Sequence, residues 1–417
     1  MIYNMKKILF ISQYFYPEVF RGNDIAFHWA EDGHEVHVVT GIPNYPAGKF
    51  YDGYGLLKRR KEMVNGVRVT RLPIVPRGNN KIMLMLNYFS FLVVAWVYVL
   101  FHAIRHRYDC VFVQQLSPVM MSAPGVLYKR LRGVPLYTWV LDLWPESLTA
   151  AGGINNKWVL AFFRHFVKRE YKYSDKILMS SRSFEKSILE YGDYKDKLVY
   201  FPQWADGTDT LELGGESLEV IKDVRLPKGF KLMFAGAVGE AHGFECTMQT
   251  ALLTKDHRDI KWVIVGDGRR LDWVRNFVKE NGLGETVMTL GRFPANTMPW
   301  FFQQADVMLV TLNDDPLFRL YAPAKISSYM SASKPILAVL NGEGAEVVRD
   351  ADCGWTLPAG DADGMARIAI ELSQTDKTVL EEKGRNAAAY YKEHFVKEKC
   401  LARLDDVMGL VGCAARG

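Results

Sequence analysis

Residues 322–337 read APAKISSYMSASKPIL. The apolar run Val307-Met308-Leu309-Val310 precedes this stretch, and a second run, Pro335 to Val339, closes it. Between them lie a loop with Pro323 and Lys325 and a short helix from about Ile326. Strand, loop, helix and strand make one turn of a parallel α/β fold. The helix start offers free backbone N–H groups and a positive dipole end, which favour an anion. Lys325 adds a full charge at that spot. The alternative is an ordinary connection whose lysine points to solvent.

The same alternation runs along the whole chain, the pattern of an α/β protein with parallel sheets. In the first half it predicts strands over 7–13, 35–40, 67–72, 110–114, 136–141, 176–180 and 198–201. Helices fit over 24–31, 82–105, 118–131, 157–173 and 183–191. The pattern breaks at FPQWADG (201–207), and a polar, acidic stretch follows to Lys228. A second set then starts, with strands over 231–235, 261–265, 286–290, 306–310, 335–339 and 354–357 and helices over 361–374, 378–394 and 396–410. A chain of 417 residues exceeds one ordinary core. We therefore expect two doubly wound, Rossmann-like domains, 1–204 and 205–394, followed by a C-terminal helix in 395–417. Such folds bind ligands at the carboxyl ends of their strands, here in a central cleft that the two domains would face.

Composition narrows the partners. Apolar residues make up 49% and charged residues 24%, the balance of a globular chain. The net charge of +5 is spread out, so nucleic acid is not expected. The basic clusters Lys58-Arg59-Arg60-Lys61 and Arg105-His106-Arg107 read as solvated surface. Cys110, Cys246, Cys353, Cys400 and Cys413 form no CxxC pair, which fits a reducing compartment and excludes a local zinc knuckle. No secretory signal is read near the start. Residues 82–104 carry no formal charge, close to the roughly 20 apolar residues that span a bilayer. A span here would cut the sheet in two. We expect instead a helix buried against the sheet, with one face available to a membrane surface. The flanking Arg77, Lys81, Arg105 and Arg107 suit anionic head groups.

Chemistry falls on the strand ends. The first strand of the second half ends in Phe234-Ala235-Gly236-Ala237-Val238-Gly239-Glu240-Ala241-His242-Gly243. Its glycines permit close backbone approach to a phosphate, although the spacing is not that of a dinucleotide fingerprint. Glu240 and His242 are candidates to reach a sugar. The next strands end in Gly266-Asp267-Gly268 and in Gly291-Arg292-Phe293, between which a flat base could lie. In the first half, YFYPEVFRGND (14–24) holds Arg21 and Gly22. The segment 41–55, GIPNYPAGKFYDGYG, is too long and aromatic for a simple connection and contains Asn44 and Tyr45. Asp142-Leu143-Trp144 places a carboxylate at a strand's carboxyl end.

Together these stretches resemble the retaining glycosyltransferases of family GT4, with the GT-B fold. They are most similar to the branch that builds bacterial capsule, O-antigen and exopolysaccharide and includes fucosamine transferases. The resemblance rests on QYFYPE, FRGND, GHEVHVVTGIPNYPAGKFYDGYG, VLDLWPES, FPQWAD, FAGAVGEAHG, VGDG, DVMLVTL and PAKISSYMSASKPILAVLNGEGAEVV, from about residue 7 to about 350.

The resemblance implies a nucleotide-diphospho-sugar, with UDP as the nucleotide, held mainly by the second domain. Lys325 and Pro323 would meet the diphosphate, the Gly236–Gly239 loop would approach it, and Gly266, Asp267, Gly268, Arg292 and Phe293 would hold the base. Gly22, His242 and Arg319 would join the donor site. Asp142, Lys325 and Glu240 are the catalytic candidates; Asn44, Tyr45 and Trp144 are those for the acceptor, a polyprenyl-diphosphate-linked saccharide. The last helix would cross back to the first domain, and the protein would sit on the cytoplasmic face of the inner membrane.

One departure stands out. The wider family carries two glutamates eight positions apart, the second on the ribose. Here those positions are Leu320 and Ser328; Ser328 stays a donor-site candidate that can hydrogen-bond but brings no charge, and Glu343 is a substitute candidate. Asp314-Asp315 is the one rival for a DxD-like metal pair, so no metal is expected. Two other readings remain open: a non-hydrolysing sugar-nucleotide epimerase of the same architecture, and a non-catalytic sugar-nucleotide-binding subunit.

Overall fold

The computed structural model describes residues 5–78, 80–152, 155–205 and 219–410. Residues 206–218 of the acidic stretch and Cys413 lie outside these. The chain divides into two compact units, Met1–Pro202 with Leu401–Gly417, and Gln203–Cys400.

The first unit is built on eight strands: β1 (Lys7–Ile11), β2 (Glu35–Gly41), β3 (Lys61–Val64), β4 (Val67–Leu72), β5 (Cys110–Gln115), β6 (Leu136–Val140), β7 (Lys176–Met179) and β8 (Leu198–Tyr200). They form one sheet in the order β3-β4-β2-β1-β5-β6-β7-β8. Central strands such as β1 are buried on both faces after their first residue, as parallel strands under helices must be. The chain runs outward from β1 through β2 and then restarts at β5, so the fold reverses between β1 and β5.

One strand departs from the expected parallel set. β3 runs antiparallel to β4, and Asn65-Gly66 joins them with φ of 46° and 78°. Two successive residues at positive φ make the tight hairpin turn that Asn-Gly favours. Lys61, expected as solvated surface, opens this edge strand, while Arg60 donates to the carbonyls of Arg71 and Leu56.

Helices α1 (Arg21–Glu31), α2 (Lys81–Arg105), α3 (Ala123–Arg132), α4 (Glu146–Gly152), α5 (Lys157–Tyr173) and α6 (Phe184–Leu189) connect the strands. α2 packs one face inward and leaves the other exposed. It presses a single stripe at a spacing of four residues, Asn87, Phe91, Ala95, Val99 and Ala103, onto the sheet. Its outer face exposes Ile82, Met85, Val93, Trp96, Val97, Phe101 and Ile104.

The second unit has six parallel strands, β9 (Phe230–Ala235), β10 (Ile260–Val265), β11 (Val287–Gly291), β12 (Val307–Thr311), β13 (Ile336–Val339) and β14 (Gly354–Leu357), in the order β11-β10-β9-β12-β13-β14. The helices are α7 (Phe244–Leu253), α8 (Leu271–Glu280), α9 (Met298–Gln304), α10 (Ala324–Ser331), α11 (Glu343–Asp350), α12 (Ala362–Gln374) and α13 (Lys377–His394). Apolar cores fill both sheet faces. Topology reverses between β9 and β12, so the loops leaving these two neighbours flank the crevice where open α/β sheets take ligands.

A last helix, α14 (Lys397–Met408), ends among residues of the first unit. There the Asp405 carboxylate receives Trp29 Nε1 and His28 Nε2, both at 2.7 Å.

Candidate active site

In the second unit the site forms at that reversal. α10 is pinned to the end of β9 by one side chain, Tyr329. Its hydroxyl accepts from Ala235 N and donates to Ala235 O, both at 3.0 Å. This buried anchor, which the sequence reading did not single out, sets the start of α10 beside Gly236. Pro323 is the residue before the helix and leaves its first N–H groups open.

Lys325, the second residue of α10, reaches back over β9. Its Nζ lies 3.0 Å from His242 Nε2 and 5.0 Å from the centroid of the Phe234 ring. A Cβ on Gly236, whose φ is 141°, would stand 2.5 Å from Lys325 Cε. The glycine is therefore required by the lysine as well as by the turn. Among the described residues no carboxylate forms an ion pair with Lys325. Burial pushes its ammonium down to about 8. Burial, and then the charge of Lys325, pushes His242 down to about 4, so at neutral pH its imidazole accepts from the lysine. A desolvated cation at a helix start beside a glycine turn is built to receive an anion.

The other donor candidates divide. The Gly266 loop packs backbone on backbone, with a Cβ there falling 1.8 Å from the Gly236 carbonyl oxygen. Asp267 holds its own turn, accepting from Gly268 N at 2.7 Å, and Gly239 precedes a short 3₁₀ turn over 240–242. Arg292 is exposed, whereas the Phe293 ring is half-buried and packs edge-on with Phe301, centroids 4.7 Å apart. Arg319 donates to Asp314 at 2.7 Å, so its charge is already matched. Glu240 is exposed and forms an ion pair with Arg270 at 3.6 Å. Ser328 Oγ donates back to the Ala324 carbonyl. Glu343 is buried at the first position of α11.

In the first unit, Asp142 stands just past β6, accepts from Ser117 Oγ at 2.6 Å, and is raised above the usual carboxylate range by burial. Trp144 donates to the same Ser117 Oγ and is itself buried against Phe163. Trp144 therefore orients the serine and offers no open face to an acceptor. Asn44 is likewise wholly buried, its Oδ1 accepting from Arg77 N. Tyr45 is the exposed member of the acceptor set, within an aromatic group with Tyr14, Phe20 and the Arg77 guanidinium. Gly22 falls inside α1, which starts three residues earlier than its periodicity predicts. A Cβ there would meet Gln114 Oε1 at 2.1 Å, so this glycine lets α1 approach β5 closely.

A further residue was missed. Glu18, within YFYPE, is 1% exposed and accepts from the backbone N–H of Asn44 and Tyr45, both at 2.7 Å, and of Phe15. Its carboxylate ties the loop after β1 to the loop after β2. Burial raises it to about 7 against the pull of those bonds.

Comparison with known proteins follows the same division. The family described as "Glycosyl transferase 4-like domain" matches residues 22–204. The family described as "Glycosyl transferases group 1" matches residues 229–375. The chain is 27% identical over 306 residues to the probable glycosyltransferase WbjE of Pseudomonas aeruginosa, covering 72% of this chain and 75% of that protein. It is 24% identical over 262 residues to the putative colanic acid biosynthesis glycosyl transferase WcaI of Escherichia coli (strain K12), covering 61% of this chain and 63% of WcaI. The solved structure of Anabaena Alr3699/HepE in complex with UDP superposes with a TM-score of 0.67 at 14% identity, over 97% of this chain and all of that one. Residues 22–204 and 229–375 thus each match a glycosyl transferase domain family, and the chain shares the GT-B fold of solved glycosyltransferases, which together support glycosyl transfer as its activity.

Proposed function

We propose that the protein is a retaining glycosyltransferase of surface polysaccharide synthesis. It moves a sugar, an N-acetylated amino or deoxyamino hexose, from a UDP-sugar to a polyprenyl-diphosphate-linked saccharide. The observation that carries the donor half is Lys325: a desolvated ammonium at the start of α10, against the glycine turn after β9. UDP as the nucleotide is supported by the UDP held in HepE, and the polysaccharide context by the colanic acid role in the name of WcaI. The acetamido sugar rests on the motif resemblance.

As the anomeric bond breaks, the diphosphate gains charge. Lys325 and the open N–H groups of α10 neutralise it without a metal. Asp314 is engaged by Arg319 and Asn341, and Asp315 by Leu317 N, so this acidic pair is committed to its own loop. The acceptor hydroxyl attacks from the leaving-group face and passes its proton to the departing phosphate, and Asp142 is the catalytic candidate of the first unit.

The acceptor lipid and a cytoplasmic membrane-surface location are supported by the composition of three helices. α2 carries two cations, α3 three and α5 five, against one acid, Glu170, which is wholly buried. Trp158 and Phe162 of α5 are exposed, and Phe162 lies 6.3 Å from Phe89 of α2. An apolar ridge within a cationic field suits an anionic leaflet.

The test is incubation with UDP-N-acetylhexosamines and a polyprenyl-diphosphate saccharide in anionic vesicles, with and without EDTA, the product anomer being read by NMR. Transfer with retention in EDTA is expected. Isomerised donor would instead identify an epimerase, and binding without turnover a sugar-nucleotide-binding subunit.

A further inference from the structure

The first unit contains a cavity of about 570 Å³ that the donor and catalytic groups leave unexplained. The size is within the range of small-molecule sites, about 300–1,000 Å³. Residues after β2 close it over the loop that follows β1 and over the β3–β4 hairpin. Four rings line it: Tyr16, Phe50, Tyr51 and Tyr54. Between the rings stand two cations, Lys49 and Arg59, and two carboxylates, Asp52 and Glu62.

The walls are held from beneath. Arg71 is wholly buried, donates to the Tyr16 carbonyl at 2.7 Å and to Glu62 Oε1, and lies 4.8 Å from the Tyr54 ring centroid. One guanidinium thus fixes three lining residues. Glu62 pairs the charge, while Nη1 has no hydrogen-bond partner among the described residues. Tyr51 is fixed by its hydroxyl on the Tyr45 carbonyl at 2.5 Å. Arg59 sits at φ 48°, an uncommon conformation for a bulky residue, with its guanidinium 5.3 Å from the Tyr54 centroid.

The chemistry of the walls selects the ligand. With Arg71 beneath them the charged groups number three cations and two carboxylates, a mixed set that a phosphate does not fill and that a hydrocarbon chain would strand. A sugar ring has an apolar C–H face for an aromatic plane and a rim of hydroxyls that both donate and accept. Rings flanked by both cationic donors and anionic acceptors match both features. We propose that this cavity is a saccharide subsite for neutral sugar units of the acceptor glycan. The proposal deepens the glycosyl-transfer reading and rests on it for the identity of the glycan as acceptor.

The experiment applies the full chain to an array of immobilised, defined oligosaccharides, with UDP binding measured separately by calorimetry. Tyr51→Ala and Asp52→Ala are compared with wild type, since both alter side chains at the open face of the loop. Wild type is expected to retain neutral oligosaccharides, and each variant to lose that retention by about tenfold or more, the scale of one stacking or charged hydrogen-bond contact. UDP affinity is expected to be the same in all three. Retention of no neutral glycan by wild type, or equal retention by both variants, overturns the subsite. Glycan retention without UDP binding leaves the subsite standing and overturns the donor reading instead.

Discussion

Replacing Lys325 by methionine separates an anion-binding lysine from a structural one. Burial lowers its ammonium from 10.5 to about 8, and at about 1.36 kcal/mol per pH unit this means about 3 kcal/mol is spent on holding the charge out of water. Methionine keeps the length and the packing and removes that cost. It also removes the bond to His242 Nε2, and a buried acceptor left alone costs about 1–3 kcal/mol. The two effects nearly cancel, so the variant should be as stable as wild type or up to about 2 kcal/mol more stable in urea unfolding at pH 7. Turnover should nevertheless fall by about 10²-fold or more, the loss seen when one donor to a developing anion is removed. The pH dependence follows from the direction of the shift. The charge is present below about 8 and lost above it, so kcat/KM for the donor should decline through that range in wild type and stay flat in the variant. A variant that is clearly less stable yet turns over within about threefold of wild type would refute the reasoning, because the missing donor should cost far more than that.

Gly236→Ala tests the same site through its steric partner: the new Cβ, 2.5 Å from Lys325 Cε, should displace the lysine and weaken UDP binding in calorimetry by about tenfold, and unchanged affinity would sink the contact. Asp142→Asn should lower turnover by about 10²-fold while UDP affinity holds; a matching fall in UDP affinity would place Asp142 in nucleotide binding instead. Glu18 supplies a pH signature in stability. Its folded value of about 7 lies above the ordinary 4.5, so the fold favours the protonated form. That contribution is full below about 4.5 and is lost as pH rises through about 7, by up to about 3 kcal/mol. Thermal unfolding should show this decline in wild type and not in Glu18→Gln; an identical pH profile in both would remove Glu18 as its source.

Most of the fold, and the placing of the candidate residues at strand ends, were legible because they are local. Strand ends carrying glycine, and a lysine placed just inside a helix, are short-range patterns, and the sheet order put β9 beside β12 as a doubly wound unit must. What escaped was set by contacts across long separations. Lys325 and His242 are 83 positions apart, as neighbours on adjoining strand ends need to be, and no spacing rule joins them. Asn44 and Trp144 looked like acceptor ligands because polar and aromatic residues in a loop resemble a binding surface; burial turned both into supports. The β3–β4 hairpin was the avoidable miss, since Asn65-Gly66 between Val64 and Val67 is a strong local signal.

α2 shows where periodicity fails for a physical reason. A helix apolar all round has no polar stripe to mark its outer face, so its sequence cannot distinguish a sheet-facing surface from a lipid-facing one. The distinction lies in residue size. On the buried stripe Ala95 and Ala103 alternate with Phe91 and Val99, which lets the backbone approach the strands, while the outer face keeps bulky Met85, Trp96 and Phe101. Close packing demands alternating small and large side chains, and a fluid hydrocarbon phase does not. If the outer face were covered by protein, bulk there would have to match a complementary surface. Converting Trp96 to serine should then cost stability in solution. If the face meets lipid, the same change should leave the urea midpoint unmoved and instead release the protein from anionic vesicles in a flotation assay.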